Sequence, residues 1–208
     1  MNKRGFLIIV SGPSAVGKGT VVKRAMDLAE ERGLPIVLSI SMTSRDARLN
    51  EQDGVDYFFV SRDEFENAVK NNGLVEYNEY NGNYYGTKRA FVEQCLDEGK
   101  SVILEIDVNG GRQVVEQYPD AVTIFIMPPS LKDLENRIRL RNRENEEEIV
   151  ARLAVGRGEI SGCGWYDYIV VNDIIEEAAE SLLSIIEAEK HKGTRNANII
   201  NEVLNPEA

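Results

Sequence analysis

Histidine and cysteine are scarce in this chain: its 208 residues hold one His and two Cys. Cys95 and Cys163 make no disulfide framework, and no Cys/His cluster has the spacing of a zinc site. The two cysteines read as small apolar fillers in a reducing compartment, and His191 as a solvated side chain. Positive charge is short as well. Lys and Arg number 24 against 35 Asp and Glu, a net charge of -11 that argues against a nucleic-acid-binding surface held by a basic field. Long apolar runs are missing: none approaches the roughly 20 residues that span a membrane. The stretch at 6–10 is too short for a signal peptide. Repeats and low-complexity segments are lacking too. These absences leave a cytoplasmic globular protein, long enough to bury a real core.

What the chain has is Gly-Pro-Ser-Ala-Val-Gly-Lys-Gly-Thr, residues Gly12 to Thr20. The run Phe6 to Val10 before it is short, apolar and branched, as a buried parallel strand is. After it Val21, Val22, Ala25, Met26 and Leu28-Ala29 recur at helical spacing. Strand, glycine-rich loop, helix is the setting in which Gly-x-x-x-x-Gly-Lys binds a polyphosphate. Gly12 and Gly17 let backbone N–H groups converge with the positive end of the helix, and Lys18 supplies a charge for the terminal phosphates. A packing turn alone would not need the lysine.

A second strand is expected over Ile36 to Ile40. Arg45 and Arg48 then leave its end, three apart. They could be solvated loop charges, or a clamp for an anion beside the phosphate loop. A strand at Tyr57 to Val60 leads to a helix that opens on Ser61 with Glu64, a capping box. Short strands at Leu74 to Tyr77 and 81–87 precede a helix carrying Phe91, Val92, Cys95 and Leu96. The parallel pattern resumes at Ser101 to Asp107, with carboxylates at the end that faces the ligand crevice of an open parallel sheet. Val122 to Met127 is the next strand, stopped by Pro128-Pro129. A mixed-charge helical region follows from Ser130. Tyr168 to Asn172 is the last strand, Ala178 to Ala188 an amphipathic helix, and the tail after His191 is polar and unassigned.

Taken in order, Ser11-Gly12-Pro13-Ser14, Gly17-Lys18, Arg45-x-x-Arg48, Asp56 to Val60 and Gly82 to Gly86 form a specific combination. Ile106-Asp107-Val108-x-Gly110, Pro128-Pro129-Ser130, Arg137-x-x-x-Arg141 and Ile169 to Asp173 complete it. From about Phe6 to Asn172 the chain resembles the guanylate kinases. The resemblance implies an α/β fold: a P-loop parallel-sheet core over 1–38, 99–133 and 166–208. A mixed insertion that binds the nucleoside monophosphate would cover 39–98, and a helical lid 134–165. It implies an ATP:GMP phosphotransferase whose ATP carries Mg2+. By the same resemblance Gly12, Pro13, Ser14, Ala15, Val16, Gly17, Lys18, Gly19 and Thr20 hold ATP, with Asn172 bordering the adenine. Lys18, Arg45, Arg137, Arg141 and Arg152 would be the catalytic cations. Arg45, Arg48, Tyr57 and Tyr85 would hold the phosphate of GMP. Ser41, Glu76, Thr87 and Asp107 would read its guanine. Thr20 and Glu105 would serve the magnesium, Glu105 through water and Thr20, set one place later by Gly19, either directly or through water.

Guanine presents two adjacent donors on its pairing edge, which one carboxylate accepts and adenine cannot offer; Glu76 suits that task. Against the family pattern, Ala15 replaces a loop glycine, which calls for ordinary dihedrals there. Ala47 replaces a proline between the clamp arginines, Leu49-Asn50 stands for a small residue and glycine, and Glu105 for an aspartate. Asn142 replaces the glycine after Arg141, and 161–165 diverges at the lid exit. None removes a charge from the site. Two other readings remain at this point. One is a protein-binding module of guanylate kinase ancestry, though such modules lose the phosphate loop. The other is a kinase for another phosphorylated ribose compound.

Overall fold

In a computed structural model, which describes residues 4–80, 82–140 and 145–205, the chain alternates strand and helix from its start. Strand β1 (Leu7–Ser11) is buried along its whole length. Leu7 and Ile9 face one apolar cluster while Ile8 and Val10 face another. A strand with two buried faces needs apolar residues at every position, which is why the run is continuous rather than alternating. Helix α1 (Lys18–Glu31) turns back across the sheet, burying Val21, Val22, Ala25, Leu28 and Ala29. Strand β2 (Ile36–Leu38) is two residues shorter than the apolar run, because the chain leaves the sheet there.

The segment that follows builds a second sheet. Two short strands, β3 (Met42–Thr43) and β4 (Phe58–Phe59), pair in parallel. Helix α2 (Arg62–Lys70) opens on the expected capping box, with Ser61 accepting from the Glu64 N–H and Glu64 from the Ser61 N–H. An antiparallel hairpin, β5 (Leu74–Tyr80) and β6 (Asn83–Lys88), completes a sheet of order β4-β3-β6-β5. Its small core is Met42, Phe65 and Leu74, with Phe58, Val60 and Tyr84 packed around them.

Helix α3 (Arg89–Asp97) returns the chain to β7 (Ser101–Glu105). Helix α4 (Val108–Gln117) and β8 (Val122–Met127) follow, then α5 (Leu131–Leu140) and α6 (Glu146–Ser161). Strand β9 (Tyr168–Val171), α7 (Ile175–Lys190) and α8 (Ala197–Leu204) end the described chain. The first sheet is parallel throughout, in the order β2-β7-β1-β8-β9. Helices α1 and α7 cover one face around Ile8, Val10, Ile103, Ile124 and Leu182; α3 and α4 cover the other around Ile9, Leu104, Val92 and Val114. The fold class expected from the sequence, a parallel-sheet α/β core with a mixed insertion and helical additions, is the one observed. The expected strand at 57–60 contracts to two residues, while β3, α4 and α8 are elements the sequence pattern does not announce.

Candidate active site

The carboxyl ends of β1, β7 and β9 converge on the phosphate loop. Gly12 has φ 151° and a Cβ there would stand 2.4 Å from the Ile126 carbonyl oxygen. Gly17 caps α1 at φ 94°, where a Cβ would meet Asn172 Nδ2 at 2.6 Å. Both positions therefore require glycine, by conformation and by crowding. Ala15 lies in the left-handed region at φ 67°. This corrects the expectation of ordinary dihedrals: the loop keeps its turn and the alanine takes the strain. Lys18 Nζ donates to Gly12 O at 2.6 Å and Pro13 O at 3.4 Å, so the lysine head lies across its own loop at the helix N-terminus.

Three side chains buttress this loop. Asn172 Nδ2 donates to Val16 O (2.8 Å), and the Asn172 Oδ1 is buried without a partner. Arg137 Nη1 donates to the same Val16 O (2.9 Å) while its Nη2 donates to Asn172 O (2.8 Å). Arg152 Nη1 donates to the Ser14 hydroxyl at 3.0 Å, joining α6 to the loop. Arg141 lies outside the described residues. Glu105, last in β7, has both carboxylate oxygens 3.4 Å from where a Cβ on Gly19 would be. Burial pushes its carboxyl up, and the Lys18 charge opposes that rise. Thr20 is exposed on the first turn of α1.

The ladder of the second sheet lines up the other half of the site. Thr87 pairs with Glu76 across β6 and β5, and Tyr85 with Asn78. Met42 pairs with Gly86 across β3 and β6, so Ser41 stands at the register of Thr87. Residues directly opposite on neighbouring strands share a face, which aligns Ser41, Thr87 and Glu76 in one row. Glu76 is 6 % exposed, and its Oε1 accepts from Thr87 Oγ1 at 2.7 Å. Burial, reinforced by the Asp107 charge and opposed by the Thr87 hydrogen bond, raises its pKa to about 7. Asp107 caps α4: Oδ1 accepts from Gly110 N (2.7 Å) and Oδ2 from Asn78 Nδ2 (2.6 Å).

A cationic corner lies at the end of β3. Arg45 makes a two-pronged pair with Glu51, both bonds 2.9 Å. Its guanidinium carbon stands 5.4 Å and 5.8 Å from the ring centres of Tyr57 and Phe59. The Tyr57 and Tyr85 rings meet edge to face at 6.0 Å. Glu51 first, and Tyr85 less, hold the Arg45 pKa above its usual value; burial raises that of Tyr57. Arg48 has an exposed side chain, and its backbone N–H donates to Glu51 at 2.8 Å.

The described candidate site residues lie at the phosphate loop, along the second sheet or at the Arg45 corner. Reasoning from sequence missed Glu51, Asn78 and Glu159. Asn78 reaches Asp107 from the insertion. Glu159 on α6 has one buried oxygen without a partner, and burial raises its pKa in the field of Lys18 and Asp107. No periodicity marks any of them; Glu51 alone carried a signal, an acid among the clamp arginines.

Among the described residues no group of three or more His, Cys, Asp or Glu could hold a metal alone. The donor set fits an ion that arrives on a nucleotide: one carboxylate, Glu105, and one hydroxyl, Thr20, beside a phosphate cradle. No helix of the described chain is long and apolar enough to cross a membrane.

The arrangement can bind a polyphosphate at one end of a cleft, and a base and an anion at the other. The chain as a whole is similar to known proteins. The guanylate kinase family profile matches residues 4–189. A guanylate kinase of Oceanobacillus iheyensis is 46% identical over 204 residues, covering 98% of this chain and 97% of that one. One from Lactococcus lactis is 49% identical over 195 residues, covering 94% and 93%. The crystal structure of guanylate kinase from Anaplasma phagocytophilum superposes with a TM-score of 0.75 at 35% identity, over 93% of this chain and 90% of that one. This chain belongs to the guanylate kinase family.

Proposed function

We propose that this protein transfers the γ-phosphoryl group of ATP to GMP, giving ADP and GDP, and that its two groups of residues divide that work. A GMP phosphate oxygen forms the new bond to the γ-phosphorus while the bond to the β,γ-bridging oxygen breaks and ADP departs. The attacking oxygen is already anionic, so no general base is required. Catalysis is then in-line positioning and stabilisation of charge on the transferred group.

In this reading the loop from Gly12 to Thr20 cradles the ATP phosphates and Lys18 swings from its loop carbonyls onto them. Arg152 joins them from the lid, together with Arg141. Arg137 supports the loop through Val16 and Asn172. Arg45, Arg48, Tyr57 and Tyr85 hold the GMP phosphate. Glu76 accepts from the two donors on the guanine edge, with Ser41 and Thr87 in the same row and Asp107 beside it. Residues 39–98 act as the acceptor-binding unit and 134–165 as the lid on a core of 1–38, 99–133 and 166–208. Magnesium bound with ATP would neutralise phosphate charge, with Glu105 and Thr20 as the residues nearest to serve its shell.

The observation that carries this reading is the buried Glu76 carboxylate, presented at the cleft opposite an intact phosphate loop. A module that only docks proteins has no use for Lys18 and its glycines, and a kinase for another acceptor has no use for a paired acceptor beside Ser41 and Thr87. The test is ADP release from ATP and magnesium with GMP, AMP, CMP and UMP in turn. GMP alone should be turned over rapidly; equal turnover of another monophosphate would remove Glu76 from base recognition.

A further inference from the structure

Arg45 has five N–H donors, and Glu51 determines which of them remain available. Nη1 donates to Glu51 Oε2 (2.9 Å) and to the Asp46 carbonyl (2.7 Å), so it is fully used. Nη2 donates once, to Glu51 Oε1 at 2.9 Å. Nε is buried and has no acceptor. A planar guanidinium can present two bidentate edges, Nη1–Nη2 and Nε–Nη2. The first is taken up by Glu51. The second edge keeps Nε unpartnered, and the Tyr85 hydroxyl also acts on this guanidinium.

Glu51 is itself held. Its Oε2 also accepts the Arg48 backbone N–H (2.8 Å), and its own N–H donates to Arg48 O at 3.0 Å. The Arg45 and Glu51 side chains are only 15% and 17% exposed, and the Tyr57 and Phe59 rings limit where the guanidinium can go. Ala47, in place of a proline, leaves this loop without covalent stiffening. The carboxylate supplies the fixed geometry instead. We infer that Glu51 is a positioning residue for the acceptor phosphate: it ties Arg45 and the Arg48 backbone into one unit and turns the Nε–Nη2 edge of Arg45 toward the incoming monophosphate. The pair also cancels one positive charge, so the corner attracts the phosphate mainly through Arg48 and binds it by shape.

This inference rests on the proposed acceptor site, and the experiment separates the two. Steady-state kinetics and titration with GMP and with guanosine, which lacks the phosphate, are compared for wild type, Glu51→Gln, Arg45→Ala and the double variant. Gln keeps the size of Glu51 but loses one acceptor and the charge. Glu51→Gln should raise KM for GMP by about ten- to a hundredfold. Guanosine affinity, KM for ATP and the melting temperature should stay near wild type. In the Arg45→Ala background the same change should add little, because the two act as a unit. Glu51→Asp, one methylene shorter, should recover part of the loss.

Tighter GMP binding by Glu51→Gln would make Glu51 a competitor of the phosphate and overturn the inference. So would an effect on guanosine as large as that on GMP, which would mark a structural role. Full additivity with Arg45→Ala would also overturn it. If Arg45→Ala itself left GMP binding unchanged, the acceptor-site reading would fail and this inference with it.

Discussion

Ala15 shows how a residue that breaks a local rule can persist. A left-handed backbone costs a residue with a Cβ about 1–2 kcal/mol. Glycine would escape that, but it costs roughly 0.5–1 kcal/mol in chain entropy. It would also give up a methyl group that is buried in the core, worth about 0.8 kcal/mol. These contributions nearly cancel. Ala15→Gly should therefore leave the melting temperature within about 4 °C of wild type, since one kcal/mol moves a domain of this size by roughly 2–4 °C. Ala15→Val, whose branched side chain tolerates positive φ far less well, should lower it clearly. A large stabilisation by glycine would mean that the loop strain is uncompensated. At Glu76 the relevant quantity is a proton. Its pKa is raised to about 7 in the folded protein, above the unfolded value, so the folded state binds more protons between pH 4.5 and 7. This residue's contribution to stability therefore falls as pH rises through that window. In the proposed reading, guanine recognition needs the Glu76 carboxylate ionised. The kcat/KM for GMP should thus fall about tenfold per unit below pH 7 and level off above it. Guanosine inhibition, free of phosphate titration, should follow the same curve. A guanosine profile flat from pH 5.5 to 8 would show that Glu76 is not the group that meets the base.

Helix α6 illustrates how an element is fixed at one end and informative at the other. Its start is capped twice over by Asn145 and Glu148. Ile149 is buried, and at Gly156 a Cβ would stand 3.0 Å from Leu134 Cδ2 on α5 and 3.4 Å from Pro13 Cβ. That close approach sets Arg152 against Ser14. Arg152→Ala should cut kcat by about a hundredfold, as loss of a charge aimed at the transferred group does. Affinity for GMP without ATP should remain within about twofold. Collapse of GMP affinity with kcat preserved would move Arg152 to the acceptor side. The same scale explains what the sequence made readable. Strands β1, β7 and β8 are buried on both faces, so their apolar runs are unbroken, and the phosphate loop sits between one such run and the helical period of α1. Helix α4 was invisible because Gly110 and Gly111 interrupt its pattern. A Cβ on Gly110 would stand 2.8 Å from Glu76 Oε2; one on Gly111 would be 3.3–3.5 Å from Ile9, Trp165 and Ser11. The residues that hide the helix are the ones that let it approach the buried Glu76 carboxylate. Strand β3 is two residues long and held by its neighbours, too short to leave a period. Glu51 and Asn78 escaped because their partners, Arg45 and Asp107, come to them through the folded backbone rather than through any regular spacing.

Viewed whole, the molecule keeps its chemistry at the carboxyl ends of the parallel strands and a separate fastening at the amino ends. Arg195, in the short turn after α7, stands 4.4 Å over the ring of Phe6, which leads into β1. It donates to Asp120 O (2.5 Å), two residues before β8, and meets Glu189 of α7 at 3.4 Å. Glu189 is only 4% exposed and also accepts from the Tyr168 hydroxyl at 2.7 Å. One guanidinium thus joins the start of β1, the start of β8, the end of α7 and, through Glu189, the start of β9. Arg195→Ala would leave the buried Glu189 Oε2 without its guanidinium, while Oε1 keeps the Tyr168 hydroxyl and Lys192 at 3.3 Å, and should cost about 1–3 kcal/mol. At roughly 2–4 °C per kcal/mol the melting temperature should fall by several degrees. By contrast, α8 beyond it exposes half or more of Ile199, Ile200, Val203 and Leu204, and eight residues are too few for a helix to be stable by itself. Ending the chain after Asn196, which still ties back to Lys190 O and Lys192 O, should therefore change stability by less than about 1 kcal/mol, because little apolar area leaves a buried environment. Both variants should keep kcat and both KM values near wild type, since the site lies across the sheet from the fastening. A loss of turnover in Arg195→Ala measured well below its melting temperature would show that the two ends of the sheet are coupled. A truncation as damaging as the point substitution would place the fastening in α8 rather than in Arg195.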